Sequence, residues 1–555
     1  MNQRNNYSDV LVVGAGMAGL YAAISAKMHY SHLKVTILTA SEMGSGGCSK
    51  RTHGVNAALK EDDSPEIHIK DTISGGGGIN QIELVDVLCH DVVHRVKELE
   101  SWGVRFDKNN EGQYDVGTYG GSTNSRSVHR YDITGLEIMH ELEKRLILQG
   151  GHMKEHRWVK QLICDGGRCY GVVAFERHTK QIEYYYSKAV ILATGGGACI
   201  YPISSISLDK LGTGILMGYN AGVPLIDMEM VQFHPTGVLI PGSIWNGSLF
   251  EEEMRMQGGI LLNGKGQRYM FDYDNRGECA TRDIVARSSY LEIMKGNGTD
   301  FNGVIFDISK IEKAYLKKRF PKTVKRLRSC NIDLMLQYRL NCSPTAHFLM
   351  GGLKINSYCE TNISGLYACG EDAGGIHGGN RLGGNGVADA LVFGYRAGRA
   401  AGEFAMGTTN LPDVLPASIT LHFYNKTQEG CRQIDKAIKK IMWEKVGLVR
   451  TKKQLNEADD ELNHMADALD GSIVTVDLSK ETYNLNILSC IEVYYKLQLA
   501  RIITQSALMR NDSVGAHYLS DGDDSSEMYN VITRRGIGGE VIVSREQTAN
   551  YATAN

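Results

Sequence analysis

Four side chains that can bind or protonate an anion lie in four short segments between residues 231 and 385 of this 555-residue chain. They are His234 in VQFHPTG (231–237), Arg282 in TRDIVAR (281–287), His347 in AHFLMGG (346–352) and Arg381 in HGGNRLGGN (377–385). Arginine can bind a carboxylate through two parallel hydrogen bonds, which lysine reproduces poorly. Taken singly, such residues are ordinary loop histidines or members of surface Arg–Asp pairs. Their chemistry therefore depends on the elements that bring them together.

A glycine pattern near the N-terminus predicts that the first strand and helix hold a nucleotide. The run DVLVVGAGMAGL (9–20) is an apolar β-type segment leading into a helical pattern, with Gly14, Gly16 and Gly19 in GxGxxG spacing. These glycines permit a tight turn, approach of a pyrophosphate to the helix N-terminus and close helix–strand packing. The next strand ends at Thr39 and not at the acid that usually binds the ribose, which weakens a simple NAD assignment.

Two later glycine-rich segments favour FAD over NAD. VILATGGG (190–197) is an apolar strand ending in AlaThrGly, a pattern typical of two-part FAD-binding folds. GLYACGE (365–371) is another strand, ending in an acid and followed by more glycines. Three such pieces in this order are hard to explain as unrelated turns. They indicate an α/β fold with a Rossmann-like FAD-binding domain.

Together, these segments resemble the flavoprotein family of succinate dehydrogenase, fumarate reductase and L-aspartate oxidase over residues 8–525. The resemblance implies an α/β multidomain protein (α+β in its added domains). A Rossmann-like FAD-binding domain is interrupted by a capping domain and followed by a helical C-terminal domain. We place the FAD-binding domain at residues 1–229 and 343–410, the capping domain at 230–342, the helical domain at 411–525 and a polar tail at 526–555.

The resemblance also implies roles for the anion-binding residues. In this family a hydride moves between flavin N5 and one carbon of a dicarboxylate, with Arg282 at the position of the general acid. An arginine is normally always protonated, so a neighbouring relay must recharge it. Glu252 and Arg255, in EEEMRMQ (251–257), lie at the matching relay positions. The positions that match substrate-binding residues are His234, His347, Arg381 and, with a changed residue type, Glu251.

The FAD contacts that we predict come from the glycine-rich strand ends, the loop at 45–59 and the start of the last motif. Glu371 matches the residue that usually binds the FAD ribityl chain. The complete set is Gly14, Gly16, Ala18, Gly19, Thr39, Ser41, Ser45, Gly46, Gly47, Cys48, His53, Gly54, Val159, Ala193, Thr194, Gly195, Gly196, Glu371, Arg381, Gly384, Asn385 and Val387. We predict no metal site.

Two positions depart from the family pattern where the substrate would lie. Glu251 replaces the usual threonine, and its carboxylate would repel a dicarboxylate unless it is protonated, turned away or paired with a substrate ammonium. Tyr119 stands where L-aspartate oxidases carry an acid taken to read the substrate amino group, although the loop 120–135 has the short length typical of those oxidases. These features point in opposite directions, so substrate identity stays open.

The loop SGGCSKRTHGVNAAL (45–59) bears on how FAD is attached. When GVNAA (54–58) is placed on the GINAA of the respiratory enzymes, their flavin-linking histidine falls on Gly47. Neither Cys48 nor His53 occupies the linking position, and His53 stands where the family usually has glycine. We therefore predict non-covalent FAD, with a tether through Cys48 or His53 as the alternative.

The leading functional prediction is an FAD-dependent oxidoreductase acting on CH–CH groups, in the manner of fumarate reductase or succinate dehydrogenase. It would interconvert a C4-type dicarboxylate and its unsaturated form. The alternatives are an L-aspartate oxidase and a non-catalytic FAD-binding electron-transfer subunit, and retention of all four anion-binding residues argues against the latter. The twelve cysteines include no CxxC pair, so an iron–sulfur protein subunit is the expected electron partner.

Composition excludes several other classes. A net charge of −3 gives no electrostatic case for binding nucleic acid or an anionic membrane. No apolar run reaches the roughly 18 residues of a membrane span, and the polar start MNQRNNYSDV lacks the features of a signal peptide. We therefore expect a cytoplasmic protein without direct membrane insertion, peripheral to a membrane only through a partner subunit.

Overall fold

The computed structural model describes residues 5–44, 47–207, 210–408, 411, 420–470, 473–477, 485–523 and 527–548. Two of the predicted FAD contacts, Ser45 and Gly46, lie outside the described residues. In the part of the chain that is described, no helix combines the length and apolar character that a membrane crossing requires.

Strands and helices are interspersed along the chain. The strands are β1 (Asn5–Val13), β2 (Val35–Leu38), β3 (Val55–Asn56), β4 (Val116–Gly117), β5 (Ser127–Val128), β6 (His152–Lys154), β7 (Arg157–Asp165), β8 (Arg168–Glu176), β9 (Ile182–Leu192), β10 (Leu225–Ile226), β11 (Val231–Val238), β12 (Ile260–Leu262), β13 (Val304–Asp307), β14 (Arg339–Leu349), β15 (Gly352–Leu353), β16 (Leu366–Ala368), β17 (Thr420–Tyr424), β18 (Ile473–Asp477), β19 (Tyr529–Arg535) and β20 (Val541–Gln547). The helices are α1 (Met17–His29), α2 (Pro65–Gly75), α3 (Ile82–Trp102), α4 (Thr134–Leu148), α5 (Thr213–Asn220), α6 (Glu252–Met256), α7 (Arg282–Glu292), α8 (Lys313–Arg319), α9 (Pro321–Arg328), α10 (Asn385–Gly407), α11 (Gln428–Lys445), α12 (Lys452–Asp470) and α13 (Leu485–Met509).

A sheet with the strand order β6-β2-β1-β9-β8-β7 lies at the centre of the FAD-binding domain, and β16 also pairs with β9. β1 runs parallel to β2 and β9, with Val10 opposite Val35 and Ala189. Val10–Val13 is fully buried, as expected of a strand covered on both faces. The parallel register puts the carboxyl ends of β1, β2, β9 and β16 at one edge, where the predicted glycine-rich segments begin.

Helices α1 and α10 pack at short range because small residues lie at their contact. A Cβ on Gly398 would lie 2.0 Å from the carbonyl oxygen of Ala22, and one on Gly394 would lie 2.6 Å from that of Ala18. Only a residue without a side chain fits at these two positions of α10. This packing fixes the start of α1 against the central sheet, next to the edge where its strands end.

The capping domain contains a second sheet, of order β11-β14-β13-β12. Its core is a separate hydrophobic cluster that includes Phe250, Leu261, Phe306 and Leu340. β11 carries the chain into this sheet, and β14 pairs with β11 and leads back to the FAD-binding domain. Because the two strands are antiparallel neighbours, residues of the VQFHPTG and AHFLMGG motifs meet at one place.

In the C-terminal region, α11, α12 and α13 pack against one another, and β17 and β18 pair as a two-stranded antiparallel sheet. Within the predicted polar tail, Tyr529–Gln547 forms an antiparallel hairpin of β19 and β20. β19 extends a small sheet by pairing with β10, and its Val531 and Ile532 are fully buried. β20 begins with the apolar residues 541–543 and ends with the polar residues 544–547. It is held by its pairing with β19 and by hydrogen bonds from Arg545 to the carbonyl oxygen of Met509.

Candidate active site

A cavity of about 720 Å³ lies between the carboxyl edge of the central sheet and the capping domain. Its wall includes Gly14 after β1 and Thr194 after β9, together with Glu252 and Arg282 from the capping domain. The predicted FAD contacts and the predicted substrate residues thus face one continuous space. A flavin held at the sheet edge could reach a substrate held under the capping domain.

At the sheet edge, the cavity exists because glycines leave room that side chains would fill. Gly14 has a φ of +113°, and a Cβ there would lie 2.1 Å from the carbonyl oxygen of Ala193. Gly195 has a φ of +86°, and its Cβ would lie 2.8 Å from Cε of Lys210. The positive end of α1 begins at Met17 beside this space. The geometry fits the pyrophosphate and adjoining parts of FAD.

Most of the described FAD contacts that we predicted do face this cavity. They are Gly14, Gly16, Ala18, Thr39, Ser41, Gly47, Cys48, His53, Gly54, Val159, Ala193, Thr194, Gly195, Glu371, Arg381, Gly384 and Val387. Three others lie behind its wall and support it. A Cβ on Gly19 would lie 2.0 Å from the Gly14 carbonyl oxygen, and one on Gly196 would lie 2.2 Å from Oε1 of Glu371. Asn385 is buried and donates to Oγ1 of Thr72 at 3.0 Å.

Glu371, the predicted ribityl ligand, forms a partly buried ion pair in the cavity wall. Nζ of Lys210 donates to its Oε2 at 2.7 Å, and the backbone N–H of Leu349 donates to its Oε1 at 3.1 Å. Lys210 carries no predicted role, because a single lysine in a loop has no spacing that marks it. The pair places one cation and one carboxylate together in the wall of the FAD cavity.

Arg282, Glu252 and Arg255 form a buried chain of charged contacts that begins at the cavity wall. Glu252 is the first residue of α6, and Arg282 is the first of α7, so two helix starts present them. Nε of Arg282 donates to Oε2 of Glu252 at 2.6 Å, and Nη2 of Arg255 lies 3.2 Å from Oε1. Burial acts to raise the pKa of Glu252, but Arg282 and Arg255 outweigh it and lower the pKa. Arg255 lies behind the wall, beyond Glu252.

Gln232 joins Arg282 and Arg381, two of the arginines that face the cavity, although it carries no predicted role. Its Oε1 accepts hydrogen bonds from Nη1 of Arg282 and Nη2 of Arg381, both at 3.0 Å. The Arg381 guanidinium also lies over the ring of Phe348, 4.4 Å from its centroid. Burial, together with Arg282, lowers the pKa of Arg381 to about 9. Strand alternation could have predicted this role: Gln232 precedes His234 by two positions on β11, and residues two apart on a strand point to the same face.

His234 on β11 and His347 on β14 lie side by side, with their ring centroids 5.4 Å apart. The backbone N–H of Thr236 donates to Nδ1 of His234 at 3.3 Å, which leaves Nε2 as the protonated nitrogen. Nδ1 of His347 lies 2.7 Å from Oγ of Ser205. Burial, and then the nearby arginines, lowers the pKa of both histidines well below the usual range. Both rings are neutral, so the positive charge here comes from arginine.

Glu251 and His53, which both depart from the family pattern, meet in the cavity. Nδ1 of His53 lies 2.6 Å from Oε2 of Glu251. Oγ1 of Thr323 donates to Oε1 of Glu251 at 3.2 Å, and Nη2 of Arg326 lies 3.8 Å from the same oxygen. Burial acts to raise the pKa of Glu251, but His53, Arg326 and Thr323 outweigh it and lower the pKa. The carboxylate is therefore ionised, and protein groups already pair with it.

Tyr119 also lines the capping end of the cavity. Burial, followed by the charge of Glu253, raises its pKa to about 12, so it is a neutral phenol. Among the described residues of this end, the two carboxylates that face the cavity are Glu251 and Glu252, and each has cationic partners. Neither is left to bind a substrate ammonium.

Two family models match the chain. The model described as "FAD binding domain" matches residues 9–387, and the model described as "Fumarate reductase flavoprotein C-term" matches residues 435–534. The first match covers the central sheet, the capping domain and every predicted catalytic residue. The second covers α12, the described part of α13 and most of β19.

Curated proteins and solved structures show the same similarity. One subunit of the fumarate reductase (CoM/CoB) of Methanothermobacter marburgensis is 35% identical over 521 residues, covering 92% of this chain and 94% of that protein. L-aspartate oxidase 2-b of Nicotiana tabacum is 32% identical over 535 residues, covering 93% and 81%. A mutant of E. coli quinol fumarate reductase superimposes with a TM-score of 0.88 at 28% identity, over 98% and 97% of the two chains. These matches confirm the predictions of FAD, of the multidomain α/β fold and of an FAD-dependent oxidoreductase.

Proposed function

Since the chain belongs to the flavoprotein family of fumarate reductases, succinate dehydrogenases and L-aspartate oxidases, we propose that it interconverts a C4-type dicarboxylate and its unsaturated form. The observation that carries this proposal is the chain of contacts from Arg282 through Glu252 to Arg255. That chain opens on a wall that also holds Arg381. Reduction of a conjugated dicarboxylate needs such an anion-binding wall and a proton donor that can be recharged.

In the proposed reaction, Arg282 delivers the proton to the substrate carbon. Its Nη2 and Nε both contact Oε2 of Glu252, and the other oxygen of that carboxylate faces Arg255. A single carboxylate thus contacts both arginines, so a proton can pass from Arg255 to Arg282 through Glu252. The ionised carboxylate of Glu252 offsets the positive charge of Arg282 before the substrate binds.

Substrate binding is the proposed role of His234, His347 and Arg381. Arg381 is held by Gln232 and stacked on Phe348, so its guanidinium is fixed before a carboxylate arrives. The neutral histidines add donors without adding charge. Bound FAD supplies the acceptor and donor of the hydride. The capping sheet covers the cavity and excludes water from the reacting atoms.

We also propose a separate electron partner and non-covalent FAD. The similar protein from M. marburgensis is by its name one of the subunits of a fumarate reductase, which supports a partner for this chain, and an iron–sulfur protein has the matching chemistry. Such a partner would be the route by which a cytoplasmic chain associates with a membrane. Gly47 stands at the position of the flavin-linking histidine and has no side chain that could form the link. His53, in the same loop, is held by Glu251. Both observations support non-covalent FAD.

Anaerobic reoxidation tests the proposed function. Fumarate should reoxidise the reduced wild-type holoenzyme, and Arg282→Ala should keep FAD but lose turnover by about 10³-fold or more, because the positioned proton donor is gone. Rates are followed by flavin absorbance in a stopped-flow instrument. Arg276→Ala is the matched control, since Arg276 is an exposed capping-domain arginine paired with Asp274.

Two results would contradict the proposal. No reoxidation by any of several unsaturated diacids would reject the reaction, and L-aspartate-dependent peroxide formation would then identify an L-aspartate oxidase. A near-normal rate for Arg282→Ala would show that another group donates the proton.

A further inference from the structure

His53 and Glu251 join two domains at the cavity. His53 lies in the loop just before β3 of the FAD-binding domain, and Glu251 immediately precedes α6 of the capping domain. Their contact, 2.6 Å from Nδ1 to Oε2, is short enough that a proton must lie between the two atoms. Since Glu251 is ionised, Nδ1 of His53 is the donor.

The orientation of the His53 ring follows from this contact and from its backbone. Oγ1 of Thr134 donates to the carbonyl oxygen of His53 at 2.8 Å, which fixes the loop. With Nδ1 turned to Glu251, Nε2 is turned away from it. The side chain keeps 17% of its surface exposed and lines the cavity, so a ligand in the cavity can reach the ring.

His53 lies within electrostatic range of the substrate-binding wall. The pKa of His347 is lowered mainly by burial, and then by Arg381, Arg282 and Lys210. His53 lowers it further, by a smaller amount. The cavity wall that contains His53 also contains Tyr119 and His234. A small ligand bound between the arginines would therefore have His53 as a neighbour.

Glu251 would be unfavourable for an anionic ligand if it stood alone. Its charge is met by His53 on one oxygen and by Arg326 and Thr323 on the other. A carboxylate arriving at Nε2 would place the imidazole between two carboxylates, and a ring with a hydrogen on each nitrogen has one donor for each of them. The ring would then donate to Glu251 and to the ligand at once.

We propose that His53 binds one carboxylate of the substrate through Nε2, and that Glu251 is the positioning residue that orients the ring and balances its charge. The inference rests on the proposed function and narrows its substrate class. The substrate is a short dicarboxylate with no ammonium group, because both carboxylates at this end are already paired.

Equilibrium binding of fumarate to the oxidised holoenzyme tests the inference without turnover. Three variants are compared with wild type through changes in flavin absorbance: His53→Ala, Glu251→Gln and the double variant. His53→Ala should raise the Kd about tenfold or more, because a charge-assisted hydrogen bond is lost and a buried carboxylate remains near the dianion. Glu251→Gln should raise it only a few-fold, since its amide oxygen can still accept from Nδ1.

The double variant separates a binding role from a structural one. If Glu251 acts through His53, removing its charge as well should make the double variant bind fumarate several-fold more tightly than His53→Ala. A purely structural pair predicts that the double variant is no better than His53→Ala. FAD content and thermal midpoint are measured in parallel, and His90→Ala, which disrupts the exposed His90–Glu66 contact, serves as the control.

The outcomes distinguish this inference from the proposed function. If fumarate reoxidises the reduced wild-type protein but His53→Ala binds fumarate as wild type does, the inference is overturned and the function stands. If the wild-type protein binds fumarate with the predicted variant order but does not reduce it, the inference stands and the proposed reaction fails. Equal Kd values for His53→Ala and the double variant would reject the role of Glu251.

Discussion

At the residue scale, the main feature of the site is that its carboxylates are neutralised before any ligand binds. Glu252 contacts Arg282 and Arg255, and Glu251 contacts His53 and Arg326. Buried charges are tolerated when they are paired and hydrogen-bonded, whereas a lone buried carboxylate is costly. An acid at position 251 is therefore compatible with a dianionic substrate, which sequence comparison leaves in doubt.

A buried histidine outside the reacting groups predicts a pH effect on stability. His68 is fully buried, and burial, followed by Arg126, lowers its pKa to about 4. The unfolded chain takes up a proton near pH 6.5 while the folded chain resists it. Stability should therefore fall as the pH decreases from about 6.5 to about 4, by about 2 kcal/mol at pH 5 from this group.

Denaturant unfolding at pH 7 and pH 5 checks this prediction. His68→Gln has an amide that can donate to Oδ1 of Asn385, as Nε2 of His68 does across 2.9 Å, but it cannot titrate. The variant should lose about 2 kcal/mol less than wild type between the two pH values. Identical losses in both proteins would show that His68 does not titrate as described.

At the element scale, helix starts and paired strands place several of the functional groups. The first residues of α6 and α7 are Glu252 and Arg282, and the antiparallel pair β11 and β14 carries His234 and His347. Rigid elements hold such groups more accurately than free loops. Elements far from the cavity matter for stability instead, and the β19–β20 hairpin is the clearest example.

The hairpin gives a matched pair of isoleucines for a stability test. Ile532 on β19 is fully buried, whereas Ile542 on β20 is about half exposed. Ile532→Ala should lower the free energy of unfolding by about 2–4 kcal/mol through lost burial and a cavity. Ile542→Ala should change it by no more than about 0.5 kcal/mol.

Thermal or urea unfolding of the FAD-loaded protein measures both effects. Similar losses for the two variants would mean that β19 is not packed as described. Fumarate binding should be unchanged in both, because neither residue lies on the cavity wall.

At the scale of the whole molecule, the cofactor cavity is a product of three chain regions. The central sheet supplies its glycine-lined edge, the loop before β3 supplies Cys48 and His53, and the capping domain closes the far end. Non-covalent binding of FAD would then depend entirely on the tertiary structure. The affinity would disappear when the regions separate.

Acid precipitation tests how FAD is held. If FAD is bound non-covalently, as proposed, all of the flavin should stay in the supernatant after trichloroacetic acid treatment, because unfolding releases it. Yellow colour in the washed pellet would contradict this and identify a covalent link. Cys48→Ala and His53→Ala, treated in the same way, would then show which side chain forms it.

Much of the fold and of the candidate site can be predicted from short sequence motifs, because each of these motifs is typical of one local structure. The informative patterns are short, and backbone geometry sets their spacing. They are GxGxxG between a strand and a helix, the strands ending at Leu192 and Ala368, and the motifs around His234, Arg282 and Arg381. They indicate the FAD-binding fold, the inserted capping domain and the anion-binding wall. The order of these motifs along the chain indicates that the capping domain interrupts the FAD-binding domain.

Only the tertiary structure decides the contacts between residues that are far apart in the chain. The pairing of His53 with Glu251, the bridge of Gln232 between Arg282 and Arg381, and the ion pair of Lys210 with Glu371 each join separate segments. No local spacing encodes such contacts, since each depends on how two elements pack. Whether Glu251 repels or helps a substrate is therefore settled by the fold that brings His53 to it.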